Sequence, residues 1–469
     1  MRTARVGRRC GVLIGALVLA ALVFPHGYAL SQEQTAVADA ATPSVEAPDS
    51  ITYAKHVAPI VQRNCQACHQ PDSIAPMALM TYDEVRAFAP MIKDKVERRM
   101  MPPWHINRSV GIQKFKNDRG LTDDEIETVV AWVDAGAPFG DAADMPPPAE
   151  FPDPGTWRLI DEFGEPDLII ASEPYTLAAV TQDKWFRPTT PTGVTEPRWV
   201  KAIEIRPVGK DATTIVHHVL AFLQQDDEDD PMSAGAVATS TRGAMGGPGL
   251  FMEWAVGKAG EIFPEGAGKV MLPGSQIGWE LHLHAMGKEV KDAQVELGIW
   301  FHDKGNEPRN RTRLQFWDAR GSTGIDIPPG EIAVTQEHHV VKWPARLENF
   351  QPHMHMRGKA MQMTAIYPDG REEVLSLVDN FQWNWHVNYV YADDVAPLVP
   401  AGTTIAITAW FDNTADNPNN PDHEQWIGWG DRTVDEMAHA WVDLTYLQQE
   451  EYDEIIDKRR AAAEAMEHE

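Results

Sequence analysis

From about residue 157 to residue 449 the chain is a succession of short runs such as "WVKAIEIRPV", "IVHHVLAFL", "AQVELGIWF" and "TTIAITAWFD". They are rich in β-branched and aromatic residues and are divided by clusters of Asp, Gly, Pro and Asn, the pattern of strands joined by turns. No convincing amphipathic helix breaks the series until the charged tail "EEYDEIIDKRRAAAEAMEHE". Roughly 300 residues of strand are too many for one β-sandwich and fit two. Turn residues cluster in "GSTGIDIPPGE", which sets the expected seam: one sandwich over 157–325, a second over 326–449, and a helical tail over 450–469.

The first half of the chain reads differently. Arg2, Arg5, Arg8 and Arg9 precede the apolar run "CGVLIGALVLAALVF", and "ALSQ" follows with small residues, so 1–31 reads as a secretory signal peptide. The run is short of the ~20 residues a bilayer span needs, and no later segment is apolar enough, so the mature chain is expected to hold no stable membrane span and to be periplasmic or secreted. Residues 32–50, small and polar, read as a flexible leader.

Of three cysteines, only Cys65 and Cys68 remain after the signal, in "CQACH". A single C-x-x-C followed by His69 in an exported chain is the signature for covalent attachment of one c-type haem, which is assembled outside the cytoplasm. A redox pair or half a zinc site is the bland alternative, but nearby ligands for zinc and a preceding strand for a thioredoxin-like motif are both missing. Val57, Ile60 and Val61 fall at helical spacing before the cysteines. "LTDDEIETVVAWVDAGAP" carries a Thr122/Glu125 capping box, an apolar face and a Gly136/Pro138 stop. Residues 51–140 thus predict a small cytochrome c domain. Met101, opening "MPPW", is the preferred distal haem ligand, with adjacent Met100 an open alternative. Pro-rich residues 141–156 read as a semi-rigid linker. The expected fold class is therefore multidomain: a small all-α cytochrome c domain followed by two all-β sandwich, jelly-roll-like domains.

The formal net charge of -28 repels phosphate backbones and argues against nucleic-acid binding. Histidines gather in the strand region: His217 and His218, His282 and His284, His338 and His339, and His353 and His355. Side chains at i and i+2 of a strand share a face, so a His-x-His pair can converge on one ion. Adjacent histidines point to opposite faces, and for His217 and His218 to meet, the strand must bulge or the rings must use different nitrogens. With both mature thiols assigned to haem, a Cys-rich zinc site is excluded. Three imidazoles in one site, beside two imidazoles and a soft thioether in another, would point to copper.

The stretches "VHHVL", "LHLHAMGKEV", "PHMHMRGK", "FDNTADNPNNP" and "WGDRTVDEM" resemble, in order and at similar spacing, the copper type II ascorbate-dependent monooxygenases, such as peptidylglycine α-hydroxylating monooxygenase and dopamine β-monooxygenase. The upstream "CQACHQPDSIAPMALMTYDEV…MPPW" looks like the cytochrome domain fused to bacterial relatives. The resemblance spans about residues 51–447 and implies two mononuclear copper sites, each in its own sandwich. The first, storing and passing an electron, would fall on His217, His218 and His282. The second, activating dioxygen, would fall on His353, His355 and Met437.

Other residues get plainer expectations. His284 is expected just behind the ligands or in solvent, His338 and His339 at the surface, and Met354 and Met356 pointing away from the copper. His386, His423 and His439 are left open. Two departures stand out: the animal enzymes' disulfides have no counterpart, and Gln351 and Trp441 stand where peptidylglycine monooxygenase uses an arginine and a tyrosine to hold the peptide carboxylate. Losing that arginine removes a bidentate partner and argues against peptide amidation.

Together these features lead to the expectation of an exported haem- and copper-dependent monooxygenase. It would hydroxylate a C–H bond of a small-molecule or peptide substrate with O2 and take electrons through the haem from a periplasmic donor. The alternative is a haem and copper electron-transfer or copper-binding protein without oxygenase chemistry.

Overall fold

The β-branched runs pair into sheets, and among the described residues three large sheets and one two-stranded ribbon make the architecture of the computed structural model. It describes residues 51–467 apart from 72, 74, 152–154, 210, 228–248, 256–257, 259 and 322–323. The expected signal peptide (1–31) and leader (32–50) lie outside the described residues. One five-stranded sheet centres on Gln276–Leu283, flanked by Lys184–Phe186 and by Val216–Gln224, which in turn pairs with Leu250–Ala255. A second runs in the order Ile106–Gly111, Glu372–Val378, Gly358–Ile366, Thr404–Asp412 and Ile332–Val340. The third sheet has twelve strands and faces both of the others. Val295, Leu297 and Ile203 pack with Val219 and Leu281 in one core, and Val442 and Leu444 pack with Met363, Ile405 and Ile407 in another.

The large sheet is continuous across the expected seam. Ala267–Met271 pairs parallel with Asn310–Asp318 through Ala267↔Asn310 and Gly268↔Arg311. Asn310–Asp318 then pairs antiparallel with Ala438–Tyr446, from Thr312↔Thr445 to Asp318↔His439. Two sandwich-like packings therefore share one sheet. The charged tail forms the helix Gln449–Glu467, and Arg459 anchors it by donating to the Ala396 carbonyl at 2.7 Å.

The expected fold class is corrected here. Strands make up 38% of the chain and helix 17%, and residues 51–140 do not close into an all-α cytochrome domain. Helices are present, and the capping box at Thr122 and Glu125 starts Asp123–Asp134 as the sequence predicts. Tyr53, Val57, Val61, Val129 and the fully buried Trp132 form a local apolar cluster. But the same segment supplies the strand Ile106–Gly111, whose Ile106 pairs with Val378 at the edge of the second sheet. Trp104 and Ile106 are buried in the core of the C-terminal lobe, where Trp104 meets Tyr389 edge-on at 4.7 Å. The described residues from Ile51 onward form one compact unit. Among the described residues no helix is long and apolar enough to cross a membrane.

Candidate metal centre

Two strand pairs bring the histidines together. In the first, Val216–Gln224 lies antiparallel to Gln276–Leu283 with His218 opposite His282. The next partner of the ladder is Leu283↔Val216, so the register skips His217. This bulge places the His217 and His218 rings side by side, with their Nδ1 atoms 3.1 Å apart. One nitrogen from each of His217, His218 and His282 lies within 4.8 Å of the others. Trp185, paired with His282 across the ladder, stacks on it at 4.2 Å and 5°. Asp183 Oδ2 meets His282 Nε2 at 3.2 Å, while its Oδ1 meets the exposed His284 at 2.6 Å. His284 is thus a partner of the carboxylate that orients His282.

In the second pair, Asn349–Met354 lies antiparallel to Ala438–Tyr446, with His353 opposite His439 and Gln351 opposite Trp441. The last registered pair is Met354↔Ala438, so Met437 stands one step further along, level with His355. Glu436 ties this end together, accepting from the main-chain N–H groups of His355 at 2.9 Å and Arg357 at 2.6 Å. His355 Nδ1 sits 3.2 Å from the Asp435 carbonyl, which orients the ring. Met437 is buried and packs with Leu220, Leu250, Leu314 and Trp441.

The two groups adjoin. His218 and His353 have ring centroids 6.2 Å apart, and His386 packs against both groups, 4.4 Å from His353, 5.8 Å from His217 and 6.2 Å from His218. His439 stacks on His353 at 4.5 Å. Seven imidazoles thus form one cluster. Burial is the leading cause that holds His218, His353, His386 and His439 well below the usual histidine range, and it takes His217 and His355 down to about 4. Kept neutral, these rings offer lone pairs. His218 Nε2, His282 Nδ1, His353 Nε2 and His439 Nε2 are buried without a hydrogen-bond partner. Leaving such atoms unpaired costs about 1–3 kcal/mol each unless something binds them. Around one ion at about 2.0–2.1 Å, imidazole nitrogens stand roughly 3.3 Å apart, close to the spacing of the His217 and His218 nitrogens. The donor set therefore fits a nitrogen-liking metal.

A cavity of about 640 Å³ opens onto His217, His282 and His386, walled by Trp185, Trp383, Met356 and Val434. Its charges are engaged: Arg432 pairs with Asp435, and Asp183 with the two histidines. Met354 is buried in the core away from the cavity, whereas Met356 lines it, because the strand ends at Met354 and alternation no longer applies. Gln351 is fully buried and donates to Glu253 Oε2 while accepting from Lys258, so it takes no part in the cavity. Around it Lys258, Glu261, Lys269 and Asp443 make a buried ionic network. His423 is exposed, and His339 bonds the Asp318 carbonyl at 2.7 Å, away from the cluster.

At the C-x-x-C-H segment, Cys65 caps the helix Ala58–Asn64 and His69 N–H bonds back to the Cys65 carbonyl at 3.0 Å. Cys65 and Cys68 are unbridged, and burial pushes the Cys65 thiol up to about 12. His69 Nδ1 meets the Met77 carbonyl at 3.0 Å, leaving Nε2 available to an iron. Met101 lines a separate cavity of about 270 Å³ with Trp104 and His105, and His69 is not part of that wall. Lys95 Nζ lies 3.8 Å from the sulfur of Met100.

Sequence reasoning missed Asp183 and Trp185, expected Met356 to point away from the site it lines, and left His386 and His439 open. His439 carried a signal, since it alternates with Met437 along one strand. His386 sits in the irregular "NFQWNWHVNY" and carried none.

No family model matches the chain, and no curated protein matches it. Solved structures share its strand arrangement only weakly. The infectious bursal disease virus Gx strain structure is 10% identical with a TM-score of 0.18 over 61% of this chain and 73% of that one. A putative secreted protein from Parabacteroides distasonis is 9% identical with a TM-score of 0.15 over 60% and 88%. A Paenibacillus xanthan lyase is 11% identical with a TM-score of 0.14 over 65% and 28%. Scores of this size carry no argument about function.

Proposed function

We propose that this chain is an exported copper-dependent monooxygenase that hydroxylates a C–H bond with O2, with a haem on Cys65, Cys68 and His69 as the electron entry. The observation that carries this reading is the cluster of buried, neutral imidazoles with unpaired nitrogens at the wall of a cavity large enough for a small molecule. His217, His218 and His282 would hold one copper, and His353, His355 and Met437 the other. A thioether beside imidazoles favours copper over zinc. When bound, copper supplies the one-electron redox and dioxygen chemistry. The overall reaction, R–H + O2 + 2 e⁻ + 2 H⁺ giving R–OH + H2O, needs two electrons from outside the substrate.

The protein's own part is geometric. The bulge at His217 aligns two adjacent rings, Asp183 orients His282, and the Asp435 carbonyl orients His355. Trp185 and Trp383 shield the cavity and give it an apolar wall. Its charged groups are already paired, which suits an uncharged substrate better than a peptide carboxylate.

The test is metal analysis and oxygen uptake on the chain matured with its haem. We expect two coppers and one haem iron per chain, and one O2 consumed per hydroxylated product. Met437→Ile should abolish hydroxylation while the first copper stays. Haem iron without copper, or undiminished hydroxylation by the variant, would refute the reading. Copper without oxygen uptake would leave the electron-transfer alternative.

A further inference from the structure

His386 belongs to neither triad, yet among the described rings outside the triads it alone packs against both. It is 5% exposed and lies on the loop between Glu372–Val378 and Tyr389–Val390. Its Nδ1 is 3.3 Å from Nδ1 of His353, within reach of an N–H···N hydrogen bond. A neutral imidazole carries one N–H and one lone pair. With its own proton on Nε2, His386 has the lone pair of Nδ1 to offer His353. His353 then carries its proton on Nδ1 and presents the lone pair of Nε2, the buried nitrogen that has no protein partner. Ligating histidines commonly donate their second N–H to such an acceptor, which fixes ring and tautomer. In the first triad the matching job falls to Asp183 on His282, and in the second the Asp435 carbonyl serves His355. Without His386, His353 would lack an orienting partner of this kind.

The position of His386 adds a second argument. It lines the cavity at His217 and His282, and also a cavity of about 580 Å³ whose far wall includes Pro103 and Arg119, from the segment that follows the C-x-x-C-H motif. It packs against His217 perpendicularly, at 90°. The ring is therefore the shared wall between the two triads and between the two cavities.

We propose that His386 is a positioning residue of the second metal site: it accepts a hydrogen bond from Nδ1–H of His353, fixes the tautomer that presents Nε2 to the metal, and joins the two triads into one imidazole cluster. This role rests on the copper reading of the site.

The test compares the full haem-loaded chain with His386→Leu and His386→Gln, using copper titration against a competing chelator and the cupric electron paramagnetic resonance of each site. The leucine variant should lose second-site affinity by about 10–100-fold with the first-site signal unchanged. The glutamine variant, whose side-chain oxygen can accept from His353, should restore most of it. Unchanged affinity and spectrum in the leucine variant would overturn the role. So would equal losses in both variants, or loss of the first site along with the second. Independently of any variant, nitrogen-15 resonances of the copper(I)-loaded wild type should show His353 protonated on Nδ1 and metal-bound through Nε2, and the reverse tautomer would overturn the proposal. A wild-type chain that bound no copper would sink the proposed function itself. Two bound coppers with an indifferent leucine variant would sink only the role of His386.

Discussion

At the scale of single residues, the cluster is a set of bases held neutral against their ordinary tendency to protonate near pH 6.5. Unfolded, the seven rings take up protons as pH falls through 6.5; folded, His217 and His355 resist down to about 4, and His218, His353, His386 and His439 resist further. The unfolded chain thus binds more protons across that window, so stability rises with pH between about 4 and 6.5 and is lost on acidification. Each ring contributes up to about 1.4 kcal/mol per pH unit. Buried carboxyls pull the other way, since burial raises Glu436 to about 8 and Asp443 to about 6, and raises Glu204, Glu253 and Glu348 as well. A raised carboxyl stabilises the fold at low pH and loses that contribution as pH rises through its folded value. The histidines outnumber these carboxyls, and His105, also taken down to about 4, adds to their side. Melting of the metal-free chain, followed by circular dichroism from pH 7.5 to 4.5, should therefore move steadily to lower temperature. A flat profile would show that the rings protonate in the folded state.

At the scale of elements, local signals were legible and pairings were not. The capping box at Thr122 announced Asp123–Asp134, and two adjacent histidines on one strand called for either a bulge or the use of different ring nitrogens, of which the strand shows the bulge. The sequence did not announce "INRSVG" as a strand, because its side chains alternate poorly and its support comes from a partner more than 250 residues away, a distance across which no periodicity carries. That pairing depends on Gly111. Its φ is +70°, and a Cβ there would overlap the Leu375 carbonyl oxygen, a main-chain atom that cannot swing aside. Gly111→Ala should therefore cost about 1–3 kcal/mol, the range for strained backbone. It should also open the edge strand, so that amide exchange rises across 104–115 and across 372–378 and leaves the His217 region unchanged. Protection retained in both segments would mean that the bulge absorbs the methyl group.

At the scale of the whole molecule, what misled the sequence reading was its assumption that a change of composition marks a change of folding unit. Residues 51–140 differ in character from the rest, yet Trp104 and Ile106 complete the C-terminal core. Phe115 stacks on Tyr391, and Asn117 donates to the Asn388 carbonyl at 2.7 Å and accepts from Val390 N–H at 3.1 Å. Likewise Pro329 and Gly330 within the expected seam do form a turn, but the sheet crosses the seam through Asn310–Asp318. Turn chemistry is local and visible in a sequence, whereas which strands share a sheet is decided by burial over the whole chain. Cores shared in this way should unfold together, because removing Trp104 and Ile106 from theirs uncovers Tyr389, which Trp104 meets, and Val378, which Ile106 pairs with. In thermal or urea unfolding, loss of amide-exchange protection in Asp123–Asp134 and the far-ultraviolet signal of the sheets are expected to share one midpoint. A helix transition well below that of the sheets would mean that the N-terminal segment lets go first, and that Trp104 and Ile106 contribute far less to the C-terminal core than their burial implies.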